Sequence, residues 1–270
     1  MIILKAPFFA GGLGKTKGCE KAPDKIVEAL NEIYLNENLR VGENKVKAIS
    51  VDNFNIEASF RLIEEAVSSV EEMPIIIGGD HSITYASFRA FAKKFNNPGI
   101  LVFDAHPDLE NDFFPPTHED YLRRLISEKL VKPENVILAG VRNASQNEVQ
   151  AINLLGVRTF WMKSCYVLGM PRLADMIMEN CRNCDALYIS IDIDAFDPAF
   201  APGTGYIEPG GFSSREFFYL IQRVLNLKNI RAFDIVEINP DKDINSMTVT
   251  LGAKIVSELS GYGNSLLQNQ

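Results

Sequence analysis

The sequence predicts an α/β fold in which a mostly parallel sheet lies between layers of helices. Eight short apolar runs recur along the chain, and several are uninterrupted rather than alternating with polar residues. Uninterrupted runs are typical of parallel strands that are buried on both faces. Amphipathic stretches separate the runs, and such alternation is typical of a parallel sheet covered by helices. A closed eight-stranded barrel has the same alternation, so the pattern leaves both architectures open.

The predicted strands are spread from the N-terminus to residue 236. They cover Ile2–Leu4, Val46–Val51, Pro74–Ile77, Ile100–Phe103, Val136–Ala139, Val157–Phe160, Leu187–Ile193 and Ile230–Val236. The stretch that contains Trp161 is expected to form an edge strand. The sequence contains no repeat, low-complexity tract or clear linker, so we expect one domain over residues 1–270.

Helices are predicted where apolar residues recur at spacings of three and four. This spacing is found over 26–34 and over 62–70, and it places the apolar residues on one helix face. A third helix is predicted to begin after Ser213. Ser213 and Glu216 have the spacing of a capping box, in which each side chain bonds the backbone of the other residue.

The composition is that of an ordinary globular protein and restricts its partners. Of 270 residues, 46% are hydrophobic and 23% are charged, and the formal net charge is −8. This acidic balance disfavours nucleic-acid binding, which normally needs a basic face, and suits a cationic ligand. No apolar run approaches the ~18 residues of a membrane span, so no membrane partner is expected. Four scattered cysteines and the absence of a signal-peptide pattern predict a reduced, cytoplasmic protein.

Carboxylate or imidazole side chains follow four of the predicted strands. Ligands bind beyond the carboxyl ends of parallel strands in both candidate architectures. The four polar segments are 78–82, 104–108, 192–198 and 237–240. Two of the only three histidines, His81 and His106, lie in these segments.

Six of these side chains have the composition of a site for two divalent metal ions. They are His81, Asp104, His106, Asp108, Asp192 and Asp194. The spacing of two over 104–108 would place three of them on one face of an extended segment. Crowded carboxylates have raised pKa values unless a cation lies among them. Nitrogen and oxygen ligands with a carboxylate majority favour Mn²⁺ over structural Zn²⁺, and six ligands fit two ions better than one. One such motif alone is more often a turn, but its occurrence on three strand ends predicts metal binding.

Three motifs resemble the signatures of the ureohydrolase family, which includes arginase, agmatinase, guanidinobutyrase and formimidoylglutamase. They are Gly-Gly-Asp-His-Ser at 78–82, Asp-Ala-His-x-Asp at 104–108 and Ser-x-Asp-x-Asp-x-x-Asp-Pro at 190–198. Further similarity over 7–23 and 203–240 extends the resemblance to almost the whole chain. The resemblance implies a three-layer α/β/α fold with a single, mostly parallel eight-stranded sheet, and therefore not a barrel.

The resemblance also implies two Mn²⁺ ions per chain. One ion would be held by His81, Asp104, Asp108 and Asp192, and the other by His106, Asp104, Asp192 and Asp194, with Asp104 and Asp192 bridging. Each ligand position is filled by the expected residue type. Asp197, which belongs to the third motif, is expected to shape a turn rather than bind metal.

The implied reaction is hydrolysis of a guanidinium group to an amine and urea. Asp108 would stabilise the tetrahedral intermediate, and His118 would shuttle protons. Glu237 would orient the guanidinium through a charge-assisted hydrogen bond. His118 follows Asp108 by ten residues, a spacing that resembles agmatinases rather than the longer arginase loop.

The chain departs from the family pattern near the expected mouth of the cleft. Glu119 stands where a glycine commonly follows the third histidine, and Tyr206 and Ile207 replace a frequent Thr-Pro pair. Ser145 stands where arginases place an acid, and Glu110 replaces a contact to the substrate carboxylate. An acidic mouth suits a small, fully cationic guanidino substrate. We therefore expect agmatinase-like conversion of agmatine to putrescine and urea.

Other interpretations stay open at the level of the sequence. Arginase, guanidinobutyrase or formimidoylglutamase activity would use the same metal site, and a non-catalytic regulatory member could retain it. A deacetylase-like relative with one zinc ion is a third class, but His106 and Asp194 supply ligands for a second ion. Phe113 and Phe114 could cover the alkyl chain of a substrate. Relatives form trimers or hexamers, so a homo-oligomer is expected, and the pair Cys181 and Cys184 is interpreted as incidental.

Overall fold

All eight predicted strands pair in one open, entirely parallel sheet. The computed structural model describes residues 1–40, 42 and 44–267, with side chains described as far as residue 262. The strands are β1 Ile2–Lys5, β2 Lys45–Ala48, β3 Pro74–Ile77, β4 Pro98–Phe103, β5 Val136–Val141, β6 Arg158–Trp161, β7 Ala186–Asp192 and β8 Ile230–Val236. Their order is β2-β1-β3-β8-β7-β4-β5-β6. The sheet does not close, which excludes the barrel, and the predicted edge strand at Trp161 is confirmed.

Helices cover both faces of the sheet. They are α1 Ala22–Leu30, α2 Ile56–Ser68, α3 Ile83–Ala92, α4 Tyr121–Ser127, α5 Gln146–Leu155, α6 Met162–Cys181, α7 Ser214–Val224 and α8 Met247–Leu267. Buried residues of α1, α6, α7 and α8 join the hydrophobic core on one face. Buried residues of α2, α3, α4 and α5 join the core on the other face. The three-layer α/β/α prediction is therefore confirmed.

Burial on both faces explains why the strand sequences are apolar without alternation. Successive side chains of a strand point to opposite faces of a sheet. In β4, Leu101 and Phe103 belong to one core and Ile100 and Val102 belong to the other. Because both faces are covered, apolar residues are favoured at every position of such a strand.

Two local predictions have different outcomes. The capping box is confirmed, since Ser213 Oγ accepts from the backbone N–H of Glu216 at 3.2 Å and Glu216 Oε2 accepts from that of Ser213 at 2.8 Å. The helix predicted over 26–34 ends earlier, at Leu30. The next backbone N–H groups bond carbonyls three residues back, and this tightening turns the chain outward, leaving Tyr34 84% exposed.

The strand order brings the four polar strand ends together. β3, β8, β7 and β4 are consecutive neighbours in the sheet, and each is followed by one of the carboxylate- or imidazole-bearing segments. Because the strands are parallel, their carboxyl ends lie on the same edge. Among the described helices, none has the length and apolar character needed to cross a membrane.

Candidate metal centre

The segment after β4 brings three predicted ligands to the centre of this edge. Its backbone bends at residues 105 and 106, and Asp108 adopts a left-handed φ of 54°. The expectation of an extended segment is therefore wrong. Asp104 Oδ1 accepts from the backbone N–H of His106 at 2.6 Å, and this bond holds the bend. The structure brings Asp104, His106 and Asp108 together by a turn instead of by strand alternation.

The segment after β7 contributes two further carboxylates. Asp192 is the last residue of β7, and a short 3-10 turn over Ile193–Ala195 follows it. Asp192 Oδ1 accepts from the backbone N–H of Asp194 at 2.8 Å, and Asp194 Oδ1 accepts from that of Ala105 at 3.0 Å. These bonds connect the two segments and orient both carboxylates. Asp197 accepts from the backbone N–H groups of residues 199 and 210, so it shapes a turn as expected.

His81, between β3 and α3, is oriented by a buried chain of hydrogen bonds. Asp234 Oδ1 accepts from Ser190 Oγ at 2.6 Å, and Ser190 Oγ lies 2.8 Å from His81 Nε2. Because the hydroxyl of Ser190 donates its hydrogen bond to Asp234, its oxygen accepts from the Nε2–H of His81. Tyr121 Oη lies 3.0 Å from the same nitrogen. The ring is thereby fixed with Nδ1 toward the carboxylates, as is typical of a metal-binding histidine.

Two adjacent clusters of candidate ligand atoms result. His81 Nδ1 lies 3.1 Å from Asp104 Oδ2, 3.1 Å from Asp108 Oδ2 and 3.0 Å from Asp192 Oδ2. His106 Nδ1 lies 3.5 Å from Asp104 Oδ1 and 3.0 Å from Asp194 Oδ2. Asp104 supplies one oxygen to each cluster. That arrangement suits a bridging ligand, whereas bridging by Asp192 stays a prediction.

The residues present fit a pair of divalent cations. His81 Nδ1 and Asp104 Oδ2 are buried, and neither has a hydrogen-bond partner among the described residues. A buried polar atom without a partner costs roughly 1–3 kcal/mol, so both atoms are suited to a ligand outside the chain. Two imidazole nitrogens with four carboxylates form a donor set that Mn²⁺ accepts.

Burial and the closeness of the carboxylates to one another shift their pKa values. Burial and the charge of Asp104 raise the pKa of Asp108 to about 8. Burial, followed by the charges of neighbouring aspartates, also raises the pKa values of Asp192 and Asp194. Burial alone would raise the pKa of Asp104, but the imidazoles of His106 and His81 outweigh it and lower that pKa. These carboxylates need positive charge nearby to remain ionised together.

Glu237 and His118 lie beside the clusters as a buried pair. Glu237 follows β8 with a left-handed φ of 64°, and its Oε1 accepts from the backbone N–H of His81 at 2.8 Å. His118 Nδ1 lies 3.1 Å from the same oxygen. Burial alone would lower the pKa of His118, but Glu237, Asp80 and Asp108 raise it to about 9. Glu237 Oε2 is buried and has no hydrogen-bond partner in the described part of the chain.

The clusters form the floor of a cleft of about 230 Å³, and Glu110, Glu119 and Tyr206 line its mouth. Glu110 accepts from Ser145 Oγ and, at 2.8 Å, from Asn147 Nδ2. Ser145 also caps α5 in a capping box that the sequence analysis missed. Tyr206 Oη donates to Glu119 Oε1 at 3.2 Å. The mouth is therefore acidic, as the sequence predicts.

Two pairs singled out in the sequence lie away from the cleft. Phe113 and Phe114 are 64% and 50% exposed and do not line it. The prediction that they cover an alkyl chain in the cleft is wrong, and the ring of Phe114 lies against that of Tyr85 instead. The thiols of Cys181 and Cys184 are buried and free, and they join no cluster of candidate metal ligands within the described residues.

Ser190 belongs to the third motif, but the role of Ser190, Asp234 and Tyr121 in orienting His81 was not predicted. Ser190 and Asp234 interrupt strand runs that are otherwise almost entirely apolar. A polar residue in a buried strand needs a partner, and this interruption was the available signal. Tyr121 carried no comparable signal.

Comparison with known proteins yields one family and several similar structures. Residues 1–261 match the arginase family. The chain is 30% identical to an arginase of Staphylococcus aureus (strain MRSA252) over 271 residues, or 90% of this chain and 89% of that protein. It is similar to the structure of proclavaminate amidino hydrolase from Streptomyces clavuligerus, with a TM-score of 0.87, 28% identity and coverage of 98% and 92%. Formimidoylglutamase from Bacillus subtilis gives a TM-score of 0.91 at 25% identity, with coverage of 98% and 87%.

Proposed function

Since this chain belongs to the arginase family, we propose that it hydrolyses the guanidinium group of a small cationic substrate to an amine and urea. The supporting observation is the junction of two ligand clusters with the buried, unpartnered oxygen of Glu237. The ligand clusters provide for two cations, and the oxygen of Glu237 provides an acceptor for a guanidinium N–H. Both lie on the floor of the same cleft.

We propose Mn²⁺ as the metal and the six predicted side chains as its ligands. If two divalent ions were bound, they would lower the pKa of a water molecule and so supply a nucleophile at neutral pH. Asp104, with one oxygen in each cluster, is the proposed bridge. The hydrogen bonds from Ser190 to Asp234 and from Asp194 to Asp192 hold His81 and Asp192 in position.

Glu237 is proposed to orient the substrate. Its Oε1 is already occupied by the backbone N–H of His81, which leaves Oε2 to accept from the guanidinium. A charge-assisted bond of this kind is stronger than a neutral one. It fixes the planar carbon over the metal ligands, where Asp108 also lines the cleft and can stabilise the developing tetrahedral centre.

His118 is proposed to supply the proton that the leaving amine requires. Its imidazole lines the cleft and is paired with Glu237 at 3.1 Å. Because its pKa is about 9, the ring carries a proton at neutral pH. Transfer of that proton to the departing nitrogen releases a neutral amine, and the ring recovers its proton from water.

Agmatine is the substrate that we propose. Its end opposite the guanidinium is an ammonium group, which suits the carboxylates Glu110 and Glu119 at the mouth. The carboxylate of arginine would need donors there, but Ser145 and Asn147 already donate to Glu110. Arginase activity is the second candidate, because several similar proteins are named arginase.

A substrate panel tests this proposal. The metal content of the purified chain is measured first, and the chain is then loaded with Mn²⁺ and assayed with agmatine, arginine, 4-guanidinobutyrate and formimidoylglutamate. Release of urea with the highest kcat/KM for agmatine is expected. A higher kcat/KM for arginine would favour the second candidate. Two bound ions without turnover would identify a non-catalytic member, and one zinc ion per chain would favour the deacetylase-like class.

A further inference from the structure

Two positions at which the chain departs from the family pattern contact each other. Glu119 stands where a glycine is common, and Tyr206 stands where a threonine is common. Although 87 residues separate them, Tyr206 Oη donates to Glu119 Oε1 at 3.2 Å. Both residues line the mouth of the cleft. The contact indicates that the two departures form one structural unit, which we call the Glu119–Tyr206 pair.

The ring of Tyr206 is held in place by its neighbours. Its centroid lies 5.6 Å from that of His106 and 5.4 Å from that of His118. The ammonium of Lys15 lies 4.6 Å above the ring, within the range of a cation–π contact. These contacts fix where the phenol oxygen lies. Tyr206 therefore determines the position of the Glu119 carboxylate.

Glu119 accepts fewer hydrogen bonds than Glu110, the other carboxylate at the mouth. Glu110 accepts from two side chains, Ser145 and Asn147. Glu119 accepts only from the phenol of Tyr206, and its second oxygen receives no hydrogen bond from the described side chains. The nearest cationic group within the described chain is His118, 3.9 Å away. The side chain of Glu119 is 44% exposed and lines the cleft, so a ligand in the cleft can donate a hydrogen bond to its second oxygen.

The pair and Glu237 lie on opposite sides of the imidazole of His118. Glu237 Oε1 is 3.1 Å from Nδ1, whereas Tyr206 Oη is 3.4 Å from Nε2. The carboxylate of Glu237, which is proposed to bind the guanidinium, is therefore separated from the Glu119–Tyr206 pair only by the imidazole of His118 and one short contact on each side of it. A short aliphatic chain with a cation at each end spans such a separation. A chain that ends in a carboxylate would meet repulsion at Glu119.

We infer that Glu119 is a specificity-determining residue, which binds the terminal ammonium of a dicationic guanidino substrate, and that Tyr206 is the residue that positions it. This inference rests on the proposed hydrolysis of a guanidinium group. It concerns the opposite end of the substrate and leaves the roles of Glu237, His118 and the metal ligands unchanged.

The first experiment compares two substrates that differ only in the terminal charge. Agmatine and butylguanidine are assayed with the Mn²⁺-loaded wild type and with E119Q. Loss of one charge-assisted hydrogen bond should lower kcat/KM for agmatine about 10- to 100-fold, mainly through KM. The value for butylguanidine should change less than about threefold. E119D, which retains the charge, should recover part of the loss, and E119G, which restores the glycine common in the family, should reproduce E119Q.

The second experiment tests the positioning role of Tyr206. Y206F keeps the ring but removes the hydroxyl that bonds Glu119. It should raise KM for agmatine about 2- to 10-fold without a matching change in kcat. In the E119Q background the same substitution should have no further effect on discrimination, because the two residues act as a unit. A fall in kcat for both substrates would instead indicate a role through His118 and would overturn the positioning role.

The matched control is E134Q. Glu134 is exposed and precedes β5, at the sheet edge opposite the cleft. E134Q should leave kcat/KM unchanged for both substrates. This result would show that the effect of E119Q does not arise from the loss of one surface charge. Calorimetry provides a readout without turnover. The wild type should bind 1,4-diaminobutane more tightly than 1-aminobutane, and E119Q should remove most of that difference.

The outcomes separate this inference from the function on which it depends. If the wild type releases urea from agmatine but E119Q leaves the ratio of agmatine to butylguanidine turnover unchanged, only the inference is overturned. If the loaded wild type releases no urea from either substrate, the proposed function fails, and the inference fails with it. A reduced ratio in E119Q with an unchanged ratio in E134Q supports the role of Glu119.

Discussion

The floor and the mouth of the cleft hold their carboxylates in different ways. On the floor, Asp104, Asp192 and Asp194 each accept a backbone N–H from a neighbouring turn. At the mouth, Glu119 is held by a single phenol. Backbone donors fix a carboxylate wherever the fold forms, whereas a side-chain contact exists only with the right partner. We therefore expect the backbone turns to fix the proposed metal ligands and a few side chains at the mouth to decide the choice of substrate.

The largest effect is expected from changing the shared ligand of the floor. Asp104→Asn removes a charge that serves both clusters, so both metal ions should be lost or weakened. An increase of several kcal/mol in the activation free energy, as expected when the metal ions are lost, corresponds to a fall in kcat of about 1000-fold or more. The measurements are metal content and turnover of every guanidino substrate. Retention of two tightly bound ions would contradict the bridging role.

Glu237→Gln tests the floor without touching a metal ligand. The substitution keeps the size of the side chain but removes the charge that would pair with the guanidinium. Misplacement of the reacting carbon should lower kcat/KM about 100-fold for all guanidino substrates, with unchanged metal content. An effect confined to substrates with a terminal ammonium would place the residue among the mouth groups instead.

A smaller loss is expected when the support of His81 is removed. Ser190→Ala breaks the connection between His81 and Asp234. Such outer partners usually change metal affinity by about 10- to 100-fold. Titration of the metal-free protein with Mn²⁺ measures this change directly. Unchanged affinity would show that Tyr121 alone is enough to orient the ring.

The pH dependence of kcat distinguishes the role of His118 from that of the residues at the mouth. With a pKa of about 9, the ring is protonated at neutral pH and loses its proton as the pH rises through that value. If His118 is the acid, kcat should fall about tenfold per pH unit above roughly 9. The same fall in kcat at high pH should be found for agmatine and for butylguanidine, and it should disappear in His118→Asn. A fall that survives this substitution would assign the proton to another group.

The smallest effect on turnover is expected at a helix cap of the mouth. Ser145→Ala removes the N-cap of α5 and one donor to Glu110. Loss of the cap should lower the free energy of unfolding by about 1 kcal/mol, while turnover changes less than about threefold. Ser213→Ala, which removes the equivalent cap of α7, is the control for a pure stability effect. A large loss of turnover in Ser145→Ala alone would extend the binding site to this residue.

The sequence predicts the layers and the floor because their signals are local. Each central strand is a short, mostly apolar run, and each predicted ligand lies at the end of such a run or within five residues of it. The ends of helices are harder to predict, because the turn after Leu30 depends on a competition between two hydrogen-bond spacings. The pairing of Glu119 with Tyr206 could not be predicted, because residues 87 positions apart meet only through the fold. The packing of Phe114 against Tyr85 likewise joins residues that are distant in the sequence.

The place of β8 has a consequence for biosynthesis. The last of the eight described strands to leave the ribosome lies between β3 and β7, near the middle of the sheet. Until Ile230–Val236 emerges, the nascent chain holds two separate groups of strands with no ladder between them. Non-local parallel pairing of this kind folds slowly. The candidate metal centre can therefore be completed only after β8 has emerged, and chains truncated before β8 should be inactive even though the candidate ligands that accompany β4 and β7 are present.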